Sequence, residues 1–148
     1  MDMRVACAAA AFAATAAFGA IPPAYWKHLP PERQQGEVAW VSGGLTPEEA
    51  ASVKRAAQEY PLELVFEEKG PQGEATGLAG MPVRIRDASG RLVFEGTSNG
   101  PIFLARLAPG RYTVETEWSA WTFSRPVVIG GERERVVFSW KRAAGNLG

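Results

Sequence analysis

The chain has 148 residues, enough for one domain with a substantial core, and its 46% hydrophobic and 22% charged residues are the balance of a globular protein. Sixteen basic residues offset sixteen acidic ones, which excludes a general electrostatic affinity for nucleic acid or anionic membrane. One histidine and one cysteine exclude a histidine-rich zinc centre and a disulfide framework.

Residues 1–19 read as a secretory signal peptide. Arg4 is a short positive start, and residues 5–18 form an uncharged, alanine-rich run. Ala17 and Gly19 place small residues at the −3 and −1 positions of a cleavage site, ahead of Ile21-Pro22-Pro23. The run is too short and too weakly apolar to span a bilayer, which takes about 20 strongly apolar residues. Cys7 lies early in the run with no apolar stretch before it, which argues against a lipid-acceptor role. Cleavage between Gly19 and Pro22 removes one charge of each sign, Asp2 and Arg4. The mature chain is then neutral and free of cysteine, periplasmic or secreted, and not stably inserted in the membrane.

Residues 20–37 are a Pro-rich arm or linker with four prolines and no periodicity. Tyr25, Trp26 and His28 stand out in it. They form either a docking patch for a ligand or partner, or an anchor in which Trp26 pins the arm to the domain. The anchor is the preferred reading, because exposed Trp is uncommon. A single domain follows at 38–142, made of a strand-helix-strand segment at 38–68 and a β-sandwich at 80–141, before a flexible tail at 143–148.

In the first segment VAWV (38–41) is a β-rich run ended by Ser42-Gly43-Gly44. Thr46, Pro47 and Glu49 then open a helix: Thr46 caps it, Pro47 suits the first position and Glu49 completes a capping box. Ala50, Val53, Ala57 and Tyr60 share one face, with Lys54, Arg55, Gln58 and Glu59 toward water. Pro61 stops the helix near 60, and Leu62, Leu64 and Phe66 alternate with Glu63 and Glu67 in a strand. Ser-Gly-Gly before a helix evokes an anion site, but Glu48 and Glu49 repel anions and the glycine spacing matches no phosphate-binding loop.

From Met81 onward short strands follow one another. Val83 and Ile85 alternate with Arg84 and Arg86 up to the turn Asp87-Ala88-Ser89-Gly90, and Leu92-Val93-Phe94 returns as the second arm of a hairpin. Ser98-Asn99-Gly100-Pro101 turns again before the apolar run Ile102-Phe103-Leu104-Ala105. Ala108-Pro109-Gly110 turns into a strand with Tyr112, Val114, Thr116 and Trp118 on one face and Thr113, Glu115 and Glu117 on the other. Val127 to Ile129 and the alternating Val136, Phe138 and Trp140 complete the set. Strands about ten residues apart with turn punctuation predict an antiparallel sandwich of about seven strands. Its expected core is Val83, Ile85, Leu107, Tyr112, Val114, Trp118, Phe138 and Trp140.

The stretch MPVRIRDASGRLVFEGTSNGPIFLARLAPGRYTVETEW resembles the carboxypeptidase regulatory-like domains, also described as transthyretin-like or prealbumin-like. The matching positions are Val83, Ile85, Asp87, Gly90, Ser98, Gly100, Leu107, Pro109, Gly110, Tyr112 and Val114, and the resemblance covers roughly 80–140. It implies a transthyretin-like β-sandwich. It implies no activity, since this module is an accessory domain in many unrelated proteins. In physical terms Pro109 pre-sets the turn, Gly110 allows a positive φ, and the Tyr112 hydroxyl is expected to reach back to backbone.

No catalytic constellation emerges, and no cofactor is expected. A Ser-His-Asp triad would need His28, which sits in the Pro-rich arm. The carboxylate pairs Glu67-Glu68 and Glu115-Glu117 fit solvated strand positions better than a glycosidase site. The expected function is therefore a non-catalytic envelope module that binds a periplasmic protein or serves a structural role. The alternative is a module that binds envelope glycan through exposed aromatic rings, and a remote third is an accessory domain of a hydrolase. Trp40, Trp118 and Trp140 belong to strands by alternation. Trp121 and Phe123, in the loop-like sequence SAWTF, are the expected interaction surface, because loops on a rigid scaffold carry binding.

Overall fold

Ile102-Phe103-Leu104-Ala105 is apolar at every position, and a strand can bury such a run only if both of its faces are covered. The computed structural model, which describes residues 28–142, covers both. The expected signal peptide with Cys7, the residues Tyr25 and Trp26, and the expected tail from 143 lie outside the described residues.

Among the described residues, ten strands and one α-helix occur in the order β1 (Arg33–Gln35), β2 (Val38–Gly43), α1 (Pro47–Ala56), β3 (Leu62–Lys69), β4 (Ala75–Gly77), β5 (Met81–Asp87), β6 (Leu92–Ser98), β7 (Ile102–Arg106), β8 (Gly110–Trp118), β9 (Trp121–Ile129) and β10 (Glu134–Lys141). They form a β-sandwich. One sheet runs β1-β2-β7-β3-β10, with β4 also paired to β3; the other runs β6-β5-β8-β9. The core between them holds Val83, Ile85, Val114 and Phe138 from the expected set, with Leu62, Leu64, Phe66, Phe94 and Phe103. Trp40 enters the same core, its ring stacked 5.6 Å from Phe103 and edge-on to Phe94 at 5.3 Å. Leu107 is buried as expected, while Tyr112, Trp118 and Trp140 are only half-buried.

On the outer face of the larger sheet α1 builds a second, smaller core. Val53, Ala56 and Ala57 pack with Tyr60 against Val41 of β2 and Ile102 and Leu104 of β7. Strand β7 thus lies between a helix and a sheet, which accounts for its unbroken apolar run. The helix begins as expected, with the Glu49 amide donating to Thr46 Oγ1 at 3.1 Å. The Glu49 carboxylate does not close the box on the Thr46 amide. It accepts from the amides of Gly44 (2.7 Å) and Leu45 (3.1 Å) and so ties the strand-to-helix link to the first turn.

Four features differ from the sequence reading. The sandwich is not confined to 80–141: β7 pairs with β2 on one side and β3 on the other, so both strands of the strand-helix-strand segment are internal to the larger sheet. Strand β10 pairs with β3 in parallel, whereas every other pair is antiparallel. Ala108-Pro109-Gly110, expected as a turn within one sheet body, is a corner that carries the chain from β7 in one sheet to β8 in the other, and the Tyr112 hydroxyl donates to Ala108 O at 2.7 Å to hold it.

The fourth difference concerns the arm, which contains a strand. Strand β1 pairs with β2, and the Gln35 carboxamide donates to Glu95 O (2.9 Å) and accepts from Glu95 N (2.8 Å). That side chain imitates a ladder pair and closes part of the free edge of β6. Further anchoring comes from Leu29, packed on the helical core, and from Glu32. Glu32 accepts from the Tyr60 hydroxyl at 2.6 Å and from Arg106 Nε at 3.1 Å. Burial, and then the Glu32 hydrogen bond, push the Tyr60 phenol far above its ordinary range.

Candidate functional site

The hairpin tip joining β8 to β9 contains only Ser119 and Ala120, so Trp118 and Trp121 stand directly opposite each other. Both turn residues have positive φ, 55° and 70°. Two consecutive left-handed residues make the type I′ geometry that matches strand twist, a geometry normally given to Asn-Gly. In Ser and Ala each costs about 1 kcal/mol. Nine cross-strand partner pairs, from Gly110 with Ile129 to Trp118 with Trp121, impose the turn despite that strain.

Behind the tip lies a row of stacked rings. Phe66 stacks on Phe138 (5.6 Å, 9°), Phe138 on Trp140 (6.0 Å, 16°) and Trp140 on Trp118 (5.2 Å, 8°). Phe123 meets Trp140 edge-on at 5.3 Å. Arg125 lies over the Phe138 ring at 5.4 Å and donates to Val137 O at 3.2 Å, bridging the edges of β9 and β10. Each ring of the row is carried on a strand; the row ends at Trp118, whose cross-strand partner Trp121 is 71% exposed.

The expected surface pair is therefore divided. Trp121 and Phe123 are the first residues of β9 and not a loop, and they share a face two positions apart. Phe123 is half-buried against the aromatic row, so Trp121 alone presents its ring to solvent. The residues missed in the sequence are Trp118 and Trp140, whose alternation signals a strand but not the stack that supports the tip.

The charged residues singled out in the sequence fall elsewhere. Arg84 reaches Glu115 at 3.2 Å and Glu117 at 2.9 Å, and Arg86 lies 3.5 Å from Glu115, all on the outer face of the smaller sheet. Glu67 lies 3.9 Å from Lys69, and Glu68 lies 3.8 Å from Arg142. His28 is exposed, and among the described residues no group of three or more His, Cys, Asp and Glu is arranged to hold a metal ion. Among the described residues no helix is long and apolar enough to cross a membrane. No family model and no curated protein matches the chain.

Proposed function

We propose that the protein is a non-catalytic module of the cell envelope, exported by its N-terminal segment, that docks a protein partner on the β8–β9 hairpin tip. One observation carries this reading: Trp121 is 71% exposed at the hairpin tip, opposite Trp118, the last ring of the aromatic stack. Tryptophan dominates interface hot spots because it buries a large area at little cost in side-chain entropy. A ring held on a rigid hairpin has already lost most of its freedom before a partner arrives. A second reading, glycan binding, draws on the flat exposed indole of Trp121.

Trp121→Ala tests both readings without disturbing the core. The variant is expected to fold as the wild type does, within about 0.5 kcal/mol, and to lose the partner that co-purifies from the periplasm with the wild-type chain. Retention of the same partner by the variant would sink the docking reading. Saturable quenching of Trp121 fluorescence by peptidoglycan or glycan fragments, absent in the variant, would favour the second. Phe123 is left in place, because its removal opens a gap beside Trp140 and confuses folding with binding.

A further inference from the structure

The outer face of β3 continues past α1, and between them lies a groove of about 580 Å³. It shares no lining residue with the hairpin tip. Its volume falls in the range of small-molecule sites, about 300–1,000 Å³. Val65 and Ile102 give it apolar surface, Lys54 enters from the helix, Arg133 comes from the residue just before β10 and Arg135 from the start of that strand.

The charges are organised around one buried acid. The Glu63 side chain is 6% exposed, and its Oε1 accepts from Arg133 Nη1 at 2.9 Å and lies 3.5 Å from Arg135 Nε. A single carboxylate oxygen thus holds two guanidiniums. Each guanidinium carries five N–H donors in a planar fork, and among the described residues neither has an ion-pair or hydrogen-bond partner other than Glu63. Glu67, the other acid in the groove, is engaged by Lys69 at 3.9 Å. Two guanidiniums and the Lys54 ammonium outweigh these two carboxylates, so the groove keeps a positive excess beside an apolar wall. Glu63 fixes the forks in advance, which lowers the entropy lost when they grip a ligand.

We propose that this groove binds a small amphiphilic oxyanion. The head, a carboxylate or a phosphate, is held by Arg133, Arg135 and Lys54, and a short apolar body lies on Val65 and Ile102. Planar forks suit either head, because both accept paired N–H bonds.

Titration of the isotope-labelled protein with octanoate, octyl phosphate, octanol and inorganic phosphate, followed by amide NMR, tests the assignment. Octanoate or octyl phosphate is expected to shift the amides of Lys54, Val65, Ile102 and Arg135 saturably, and whichever binds identifies the head. Arg135→Gln is expected to weaken that binding about tenfold or more through loss of a charge-assisted contact, and Lys54→Gln several-fold. Arg135 is chosen because its side chain is 55% exposed, whereas Arg133→Gln strips the buried Glu63 of its closer partner and endangers the fold. An unchanged dispersion of the variant's spectrum confirms that it is folded. The proposal is overturned if no probe shifts those amides, if octanol binds as well as octanoate, if inorganic phosphate binds as well as octyl phosphate, or if folded Arg135→Gln binds like the wild type.

Discussion

Replacing Gly100 by alanine should be among the most damaging single-methyl additions to this protein. Gly100 lies in the link from β6 to β7, and a Cβ there would meet the carbonyl oxygen, the carbonyl carbon and the Cα of Gly43, the last at 2.8 Å. Those atoms are backbone, which cannot swing aside as a side chain can. The link is also fastened by two hydrogen bonds: the Ser98 hydroxyl donates to Gly100 O at 2.6 Å, and the Asn99 amide donates to Ser42 Oγ at 3.0 Å. Moving the link away from β2 relieves the clash but loses contacts worth about 1 kcal/mol each. Overpacking of a rigid site adds about 1–3 kcal/mol. The expected loss is therefore about 3–5 kcal/mol, or a Tm lower by about 10–20 °C for a domain of this size. Urea unfolding followed by tryptophan fluorescence measures it. Gly131→Ala is the control, since its Cβ would meet nothing within 4 Å and its φ is not positive. That variant should match the wild type or gain up to about 1 kcal/mol through a less free unfolded chain. A Gly100→Ala protein within about 1 kcal/mol of wild type, or no worse than Gly131→Ala, would refute the close-approach argument.

Two further outcomes follow from buried and hydrogen-bonded polar groups. Thr116 is fully buried on the inner face of β8, and its hydroxyl has no hydrogen-bond partner among the described residues. Thr116→Val keeps the shape and removes the unsatisfied group, so the urea midpoint should rise by the equivalent of about 1 kcal/mol, and a fall would mean that the hydroxyl is satisfied. The Asp87 carboxyl is held below the ordinary aspartate range, first by the Ser89 hydroxyl and then by the backbone amides of Arg91 and Ser89. A lowered folded pKa stabilises above the unfolded value of about 4, and that contribution disappears as pH falls through the folded value. Ser89→Ala should move the Asp87 midpoint, read by carboxyl-carbon NMR, upward toward the ordinary value; an unmoved midpoint would exclude the hydroxyl as the main cause.

The sequence by itself determined whatever depends on neighbours a few residues apart. Thr46 caps its helix, Val53, Ala57 and Tyr60 turn inward, Asp87 and Gly90 close a hairpin, and the alternation along β5 and β8 assigns a face to each residue. Each of these is a local matter of helix or strand period and turn chemistry. Which sheet a strand joins is not local. The tertiary structure decided that β2 and β3 flank β7 and that β10 pairs with β3 in parallel, because those contacts exist only once distant segments meet. The same limit governs the candidate sites. Alternation places Trp121 and Phe123 on one face, but their exposure depends on whether another ring lies above them, and Trp140 covers Phe123 while Trp121 stays open. Glu63 reads as a solvated strand residue until Arg133, from the far end of the chain, reaches its carboxylate. Gly100 reads as a turn glycine until the backbone of Gly43 supplies the reason for it. Periodicity fixes the direction in which a side chain points, and only the packed fold fixes what it meets there.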